Sequence, residues 1–334
     1  MPALRISAGS SRIDSDAGPV VGTGTRPRPE GLLGRADRAE RHLVHPVWSV
    51  QCRDMTSTAT GARPVVVGVD GSGAARRAAA WAAQEADLRD APLLVICVAG
   101  PGGPSDPGTV LDRCAAVARI AAPDRTPEVR TCAGDPADVL ERFGLDAELL
   151  VVGQHGGGRV RPGFGNTVAR LARRHPAALA VVRAAPGRAL PDRGRAVVVA
   201  VDGRPGSAAL IEHAARVAAL RGASLTIAHV EPGGRWSHRP GSGAAAVLAE
   251  VSEAVEAAHP EMVASARLIG GGPGRALLDL ADAAQLVVVG CHRGRGAGGP
   301  VSGLLRAAAC PVLIVDPDRL PAPVAAGPYR KEER

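Results

Sequence analysis

The sequence predicts an α/β protein made of two tandem, doubly wound parallel sheets of five strands each. Three observations carry this. Short β-branched runs alternate with helix-period segments along most of the chain, as parallel strands joined by crossover helices require. The chain also repeats itself. Val65-Val66-Val67-Gly68-Val69-Asp70-Gly71 returns as Val197-Val198-Val199-Ala200-Val201-Asp202-Gly203, an offset of 132, and Leu149-Leu150-Val151-Val152-Gly153 returns as Leu286-Val287-Val288-Val289-Gly290, an offset of 137. A period this long is a whole domain in duplicate, not a solenoid unit. Finally, 334 residues suit about two domains.

The elements follow in order. Residues 1–62 carry no sustained period and are rich in Arg, Gly, Pro and Ser, so they read as a disordered N-terminal extension. A start at Met55, shortly before the first strand, would make the preceding residues an artefact of start-site assignment; the alternative is a real tail with a local role. The first domain, 63–184, opens on Val65–Val69, a run fit for burial on both faces. Asp70-Gly71-Ser72-Gly73 is a turn with Ser72 as helix N-cap. On the first helix Ala78, Ala82 and Ala86 form one stripe, matched in the second copy by Leu210, Ala214 and Ala218. The second strand spans 93–98, and 225–230 in the second copy. The second helix spans 109–121, and 244–258. A strand at 129–133 leads to a short helix at 137–143. The fourth strand, 149–152, runs into a glycine-rich loop and a helix at 168–174. The fifth strand is 179–182, and Val312–Val315 in the second copy. A linker rich in Pro, Gly and Arg, 185–195, precedes the second domain, 196–316, and a tail, 317–334, is expected to fray from Asp316 onward.

Composition narrows the function. Aromatic residues are 2% of the chain, so the core must be Ala, Val and Leu. The net charge of +7 is nearly all arginine, Lys331 being the one lysine. The arginines are scattered and do not interleave with aromatics, which argues against a nucleic-acid partner. None of the six cysteines lies in a C-x-x-C pair, as expected of buried, inert thiols in a reducing cytosol. His and Cys never fall at metal-ligand spacing, so no metal is expected. No apolar run has transmembrane length and no signal peptide opens the chain; a cytoplasmic protein with no membrane contact is expected. His213 stands where the first copy has Trp81 and reads as a helix-surface or interface residue; His229, within a strand, reads as a satisfied core histidine.

In an open parallel sheet, ligands bind beyond the carboxyl ends of the strands at the switch point. Two strand ends meet there in each copy, one carrying an Asp and one a glycine loop. Gly68-Val69-Asp70-Gly71-Ser72-Gly73 is not a dinucleotide fingerprint, since its spacing is wrong and its acid would repel a pyrophosphate. No G-x-x-x-x-G-K-[ST] occurs. The loop Gly153-Gln154-His155-Gly156-Gly157-Gly158-Arg159, running to Gly165-Asn166-Thr167 at a helix start, is different. Its glycines let backbone N–H groups converge on an anion, and the helix N-terminus adds its dipole. Arg159, Arg161 and His155 can add charge, and Asp70 can accept from a ribose or base. The other reading is that the glycines only make a tight loop.

From Pro64 to Val315 the chain resembles two tandem universal stress protein domains. The residues carrying the resemblance are Val67-Gly68-Val69-Asp70-Gly71-Ser72 with Trp81-Ala82, Val151-Val152-Gly153-Gln154-His155-Gly156, Val201-Asp202-Gly203, Val288-Val289-Gly290 and Cys310-Pro311-Val312-Leu313-Ile314-Val315. ATP-binding members of that family carry G-x2-G-x9-G-[ST] after the fourth strand. The resemblance implies an ATP site, with or without Mg2+, in the first copy at Asp70, Val98, Gly153, His155, Gly156, Arg159, Gly165, Asn166 and Thr167. Eight residues separate Gly156 from Gly165, one fewer than usual, and Ala177-Ala178 replaces the family's Cys-Pro. The corresponding site of the second copy, at Asp202, Val230, Gly290, Arg293, Gly294 and Gly298, is expected to be degenerate. Arg293 replaces a glycine, Pro300 lacks a donor, and the offset falls to 133 at Pro311, so the loop is four residues shorter.

Three functions follow, in order of preference. The first is a nucleotide-responsive regulatory module in stress response, not an enzyme, in which ATP orders the loop and alters a partner surface. The second is a scaffold that binds no nucleotide. In the resembling family the fifth strand pairs domains, and here the copies could pair within one chain through residues 179–183 and 312–316, with a homodimer as a further option. The third is a slow ATPase or phosphotransferase. That would need a metal-binding acid near the γ-phosphate, where only Asp70 and, more remotely, Asp135 are placed.

Overall fold

The computed structural model describes residues 62–100, 103–154, 166–174, 178–183, 192–204, 206–232, 243–291 and 299–320, all within one compact unit, Val47–Arg334. The expected N-terminal extension and most of the linker lie outside the described residues. The first copy runs β1 (Val65–Val69), α1 (Gly73–Leu88), β2 (Leu93–Ala99), α2 (Pro107–Ala121), β3 (Glu128–Ala133), α3 (Pro136–Asp146), β4 (Leu149–Gly153), α4 (Asn166–Arg174) and β5 (Ala178–Val182). The second runs β6 (Val197–Val201), α5 (Ser207–Leu220), β7 (Leu225–Pro232), α6 (Gly243–Ala258), β8 (Ala264–Gly271), α7 (Pro273–Ala283), β9 (Leu286–Gly290), α8 (Gly299–Ala307) and β10 (Val312–Val315).

Each copy is the expected doubly wound parallel sheet, and the two are continuous. The strand order is β3-β2-β1-β4-β5-β10-β9-β6-β7-β8, with β5 and β10 antiparallel and every other pair parallel. Leu313 stands opposite Ala180. These positions correspond at the offset of 133, so an approximate twofold relating the copies passes through the junction. The same offset recurs in the registers, Leu150 facing Leu179 and Val287 facing Val312. The shortening of the second copy is therefore absorbed between β9 and β10 without a register slip, which would turn every side chain to the wrong face.

Alternation places the core. Val65, Val67 and Val69 face α1 and α2 on one side of the sheet, while Val66 faces α3 and α4 on the other. The alanine stripe explains how α1 lies close to the sheet: Ala78, Ala82 and Ala86 are fully buried. Ser72 caps α1 by accepting from the Ala75 N–H at 3.0 Å.

The tail departs from expectation. Asp316 and Pro317 are buried, and Pro317–Arg319 forms a 3-10 turn in which the Asp316 carboxylate accepts from the Asp318 N–H at 3.2 Å. Pro317 packs against Gly206 and Gly290, where no side chain stands in its way. Local composition signals fraying, but these two glycines leave a slot that the proline fills. Residues 321–334 lie outside the described residues.

Candidate functional site

The strand order reverses direction between β1 and β4, and between β6 and β9; ligands bind open α/β sheets at such points. Register brings three of the expected site residues together. Val69 lies opposite Cys97 on β2, and Gly68 opposite Val152 on β4. Asp70, Val98 and Gly153 therefore sit at neighbouring strand ends on one edge of the sheet. Asp202, Val230 and Gly290 are placed alike in the second copy, with Val201 opposite His229 and Ala200 opposite Val289. Val98 is buried among the residues facing α3 and α4. α4 spans Asn166–Arg174, with Thr167 half-buried. His155, Gly156, Arg159, Gly165, Arg293, Gly294 and Gly298 lie outside the described residues.

The chain belongs to the universal stress protein family. A model of that family, described as "Universal stress protein family", matches residues 61–183 and again 194–316. A universal stress protein of Mycolicibacterium smegmatis is 31% identical over 287 residues, covering 76% of this chain and 97% of the relative. One from Mycobacterium tuberculosis is 30% identical over 284 residues, covering 75% and 96%. Among solved structures, a universal stress protein from Archaeoglobus fulgidus superposes with a TM-score of 0.60 at 16% identity, covering 76% of this chain and 98% of that one.

In both stress-protein copies the shared aspartate accepts from the backbone N–H two residues on. Asp70 accepts from the Ser72 N–H at 3.0 Å, which helps to turn the chain into α1. Asp202 accepts from the Arg204 N–H at 3.1 Å, and its other oxygen lies 3.4 Å from Arg204 Nε. Both side chains of that pair are more than half exposed, so it is a solvent-screened surface contact. Asp70 also reaches into the core electrostatically. Burial pushes the Cys97 and Cys114 thiols up to about 11, and the Asp70 carboxylate pushes in the same direction. Those thiols are protonated at neutral pH, and no disulfide is formed among the described residues.

Gly153 has a packing reason that the motif does not reveal. A Cβ there would stand 2.8 Å from the Ala74 carbonyl carbon and 2.9 Å from the Ala75 nitrogen, so the end of β4 can touch the start of α1 only without a side chain. At Gly290 the nearest atoms are side-chain carbons of Leu210, at 3.1 Å, and Pro317, at 3.2 Å. Asp135 is the N-cap of α3, accepting from the Ala137 N–H at 2.9 Å, and pairs with Arg170 at 2.6 Å. Its carboxylate is thereby committed to structure.

Sequence reasoning missed the polar groups at the junction of the copies. Gln154 is fully buried and donates from Nε2 to the Leu305 carbonyl of α8; its Oε1 has no partner among the described residues. Arg183 donates to the Ala307 carbonyl at 3.0 Å, so two side chains of the first copy serve the C-terminal end of a helix in the second. Glu85, also buried, is paired by Arg89 and by Arg221 of the other copy. One available signal was a lone acid in the alanine-rich face of α1 whose counterpart is Val217. His213 is half-buried on α5, and burial first, then Arg216 and Arg89 of the first copy, bring it down to about 4. His229 is satisfied, its Nδ1 lying 3.0 Å from the Val201 carbonyl oxygen. No helix among the described residues is long and apolar enough to cross a membrane.

Proposed function

We propose that this universal stress protein is a nucleotide-responsive regulatory module that takes ATP, with Mg2+, in its first domain. The observation supporting this most directly is the convergence of Asp70, Val98 and Gly153 at the reversal of strand order, followed by the α4 N-terminus at Asn166. In this reading the Asp70 carboxylate accepts from the ribose or base. Amides of the loop through Gly156 and Gly165 meet the phosphates with His155 and Arg159, and Thr167 closes the site. Residues 63–184 and 196–316 act as two domains of unequal competence. Pro300 occupies the first turn of α8 without a donor, and the second loop is four residues shorter than the first. The protein works as a cytoplasmic sensor and catalyses no reaction; nucleotide binding orders the loop and changes a partner surface.

Calorimetric titration with ATP and magnesium tests this. One site per chain, abolished by Gly156→Val and untouched by Gly294→Val, is the expected result. Two sites would mean that Arg293 and Arg295 serve the second loop. No heat at millimolar ATP would overturn the reading. It would favour the scaffold alternative, which the contact between Gly153 and α1 supports by giving the first motif glycine a purely structural role.

A further inference from the structure

The junction between the copies poses a selection problem. β5 and β10 are both short and wholly buried apolar strands, Ala-Leu-Ala-Val-Val and Val-Leu-Ile-Val. Backbone ladders do not discriminate, so either edge offers a template to a second copy of itself. A pairing related by a twofold would serve like copies as readily as unlike ones. Specificity must come from groups beside the ladder that reward one partner and penalise the other.

Those groups are unevenly divided. Arg89 and Arg221 correspond at the offset of 132 and occupy the C-caps of α1 and α5. Both arginine side chains are more than nine-tenths buried. Arg89 has two acids of its own copy, Glu85 and Glu148, the latter at 3.2 Å. The counterparts of those acids are Val217 and Gln285. Among the described residues Arg221 therefore has no carboxylate partner in its own copy. It donates to Gln285 Oε1 at 2.9 Å, stacks over Trp81 of the first copy at 5.5 Å, and takes its counter-charge from Glu85. Burial pulls the Arg221 guanidinium down, and the Glu85 carboxylate is the main influence opposing that shift.

We infer that this division of charge selects the partner: the face of the second copy presents a buried arginine lacking its own acid and fits only a surface bringing a spare buried carboxylate, which the first copy supplies. Taking Glu85, Glu148 and Arg89 on one side and Arg221 on the other, the first face carries one net negative charge and the second one net positive charge. Unlike copies neutralise each other. Two first copies would gather two excess negatives, softened because Glu148 is 44% exposed. Two second copies would bury two arginines with no acid, the more severe case, since an uncompensated buried charge is strongly destabilising. His213 carries no charge at neutral pH, and Arg193 and Arg216 are exposed and solvent-screened. Size acts in the same sense: on the twofold Leu313 faces Ala180, where like pairs would set Leu against Leu or Ala against Ala.

The test begins with the full chain carrying a protease site within residues 184–191. It is folded, cleaved, unfolded in urea and refolded, and its pairs are identified by native mass spectrometry. The expected product is the unlike pair alone. The variant Glu85→Val with Val217→Glu moves the carboxylate to the second copy and leaves all three pairings neutral on this count; like pairs should then appear. Like pairs from the unaltered chain, or none from the transferred variant, would overturn the inference. The intact chain decides independently of any refolding. Glu85→Gln and Arg221→Gln should each lower the urea midpoint, and together lower it no further than the worse single change. Additive losses would show that Glu85 does not serve Arg221.

Discussion

Replacing Gly153 by alanine separates the packing role of the first motif glycine from a ligand role. The added Cβ would sit 2.8 Å from the Ala74 carbonyl carbon and 2.9 Å from both Ala74 Cβ and the Ala75 nitrogen. Two of these are backbone atoms in the first turn of a helix whose alanine face is fully packed, so relief means moving α1 from the sheet or bending β4. Overpacking of this kind costs about 1–3 kcal/mol. The stiffer unfolded chain returns about 0.4–1 kcal/mol to an alanine variant, leaving a net loss of roughly 1–2 kcal/mol. For a domain of this size that lowers Tm by about 2–8 °C. Gly290→Ala is the internal control. Its Cβ would meet side-chain carbons of Leu210 and Pro317, at 3.1 and 3.2 Å; Leu210 can turn aside and the Pro317 ring need give by only a few tenths of an ångström, so its net loss should be about half that at Gly153. Thermal melts followed by circular dichroism, both variants beside the parent and without nucleotide, make the comparison. Equal losses at the two glycines would refute the argument that the contact of β4 with α1 requires Gly153. The practical consequence is that a Gly153 variant confounds folding with binding, so Gly156 is the better probe of the loop.

Two further outcomes follow from buried polar groups. His213 has a folded-state value near 4 against an ordinary 6.5. The unfolded chain therefore takes up the proton first, and stability present above about pH 6.5 is lost as pH falls toward 4, by about 1–3 kcal/mol after allowance for partial exposure. Urea denaturation across that window should show a flatter pH dependence for His213→Gln; parallel curves would refute the assignment. At Gln154, Leu should change stability by no more than about 1 kcal/mol, because the lost bond to the Leu305 carbonyl is offset by removal of the unpartnered Oε1. Gln154→Glu should lose on the order of 3 kcal/mol at pH 7 and recover part of it at pH 5; urea midpoints at the two pH values check both.

The strand-end part of the candidate site was legible in one dimension because its logic is local. Asp70 and Gly153 stand out as strand-end residues before a turn, and parallel pairing of β1 with β4 then brings them to one edge. Their second-copy counterparts were found by the repeat, down to the offset of 133 that the β9–β10 register bears out. The reason for Gly153 was not legible. A glycine before a loop reads as loop chemistry, and only the position of α1 shows the backbone contact. What holds Asp135 was not legible either: its capping bonds to α3 and its pairing with Arg170 appear only once α3 and α4 are packed together.

The sequence by itself determined the two doubly wound copies, their strands and helices, the alanine face of α1 and the unequal loops, because burial periodicity, turn residues and an internal repeat are short-range or self-referential signals. Tertiary structure alone decided the seating of Pro317 on two glycines and the ion pair of Glu85 with Arg221. It also selected the intramolecular junction of β5 with β10 from the pairings left open. These depend on which surfaces meet across distant stretches of chain. Strand-edge hydrogen bonding is chemically uniform and leaves no mark in composition, while a buried charge shows its partner only when both reach the same place.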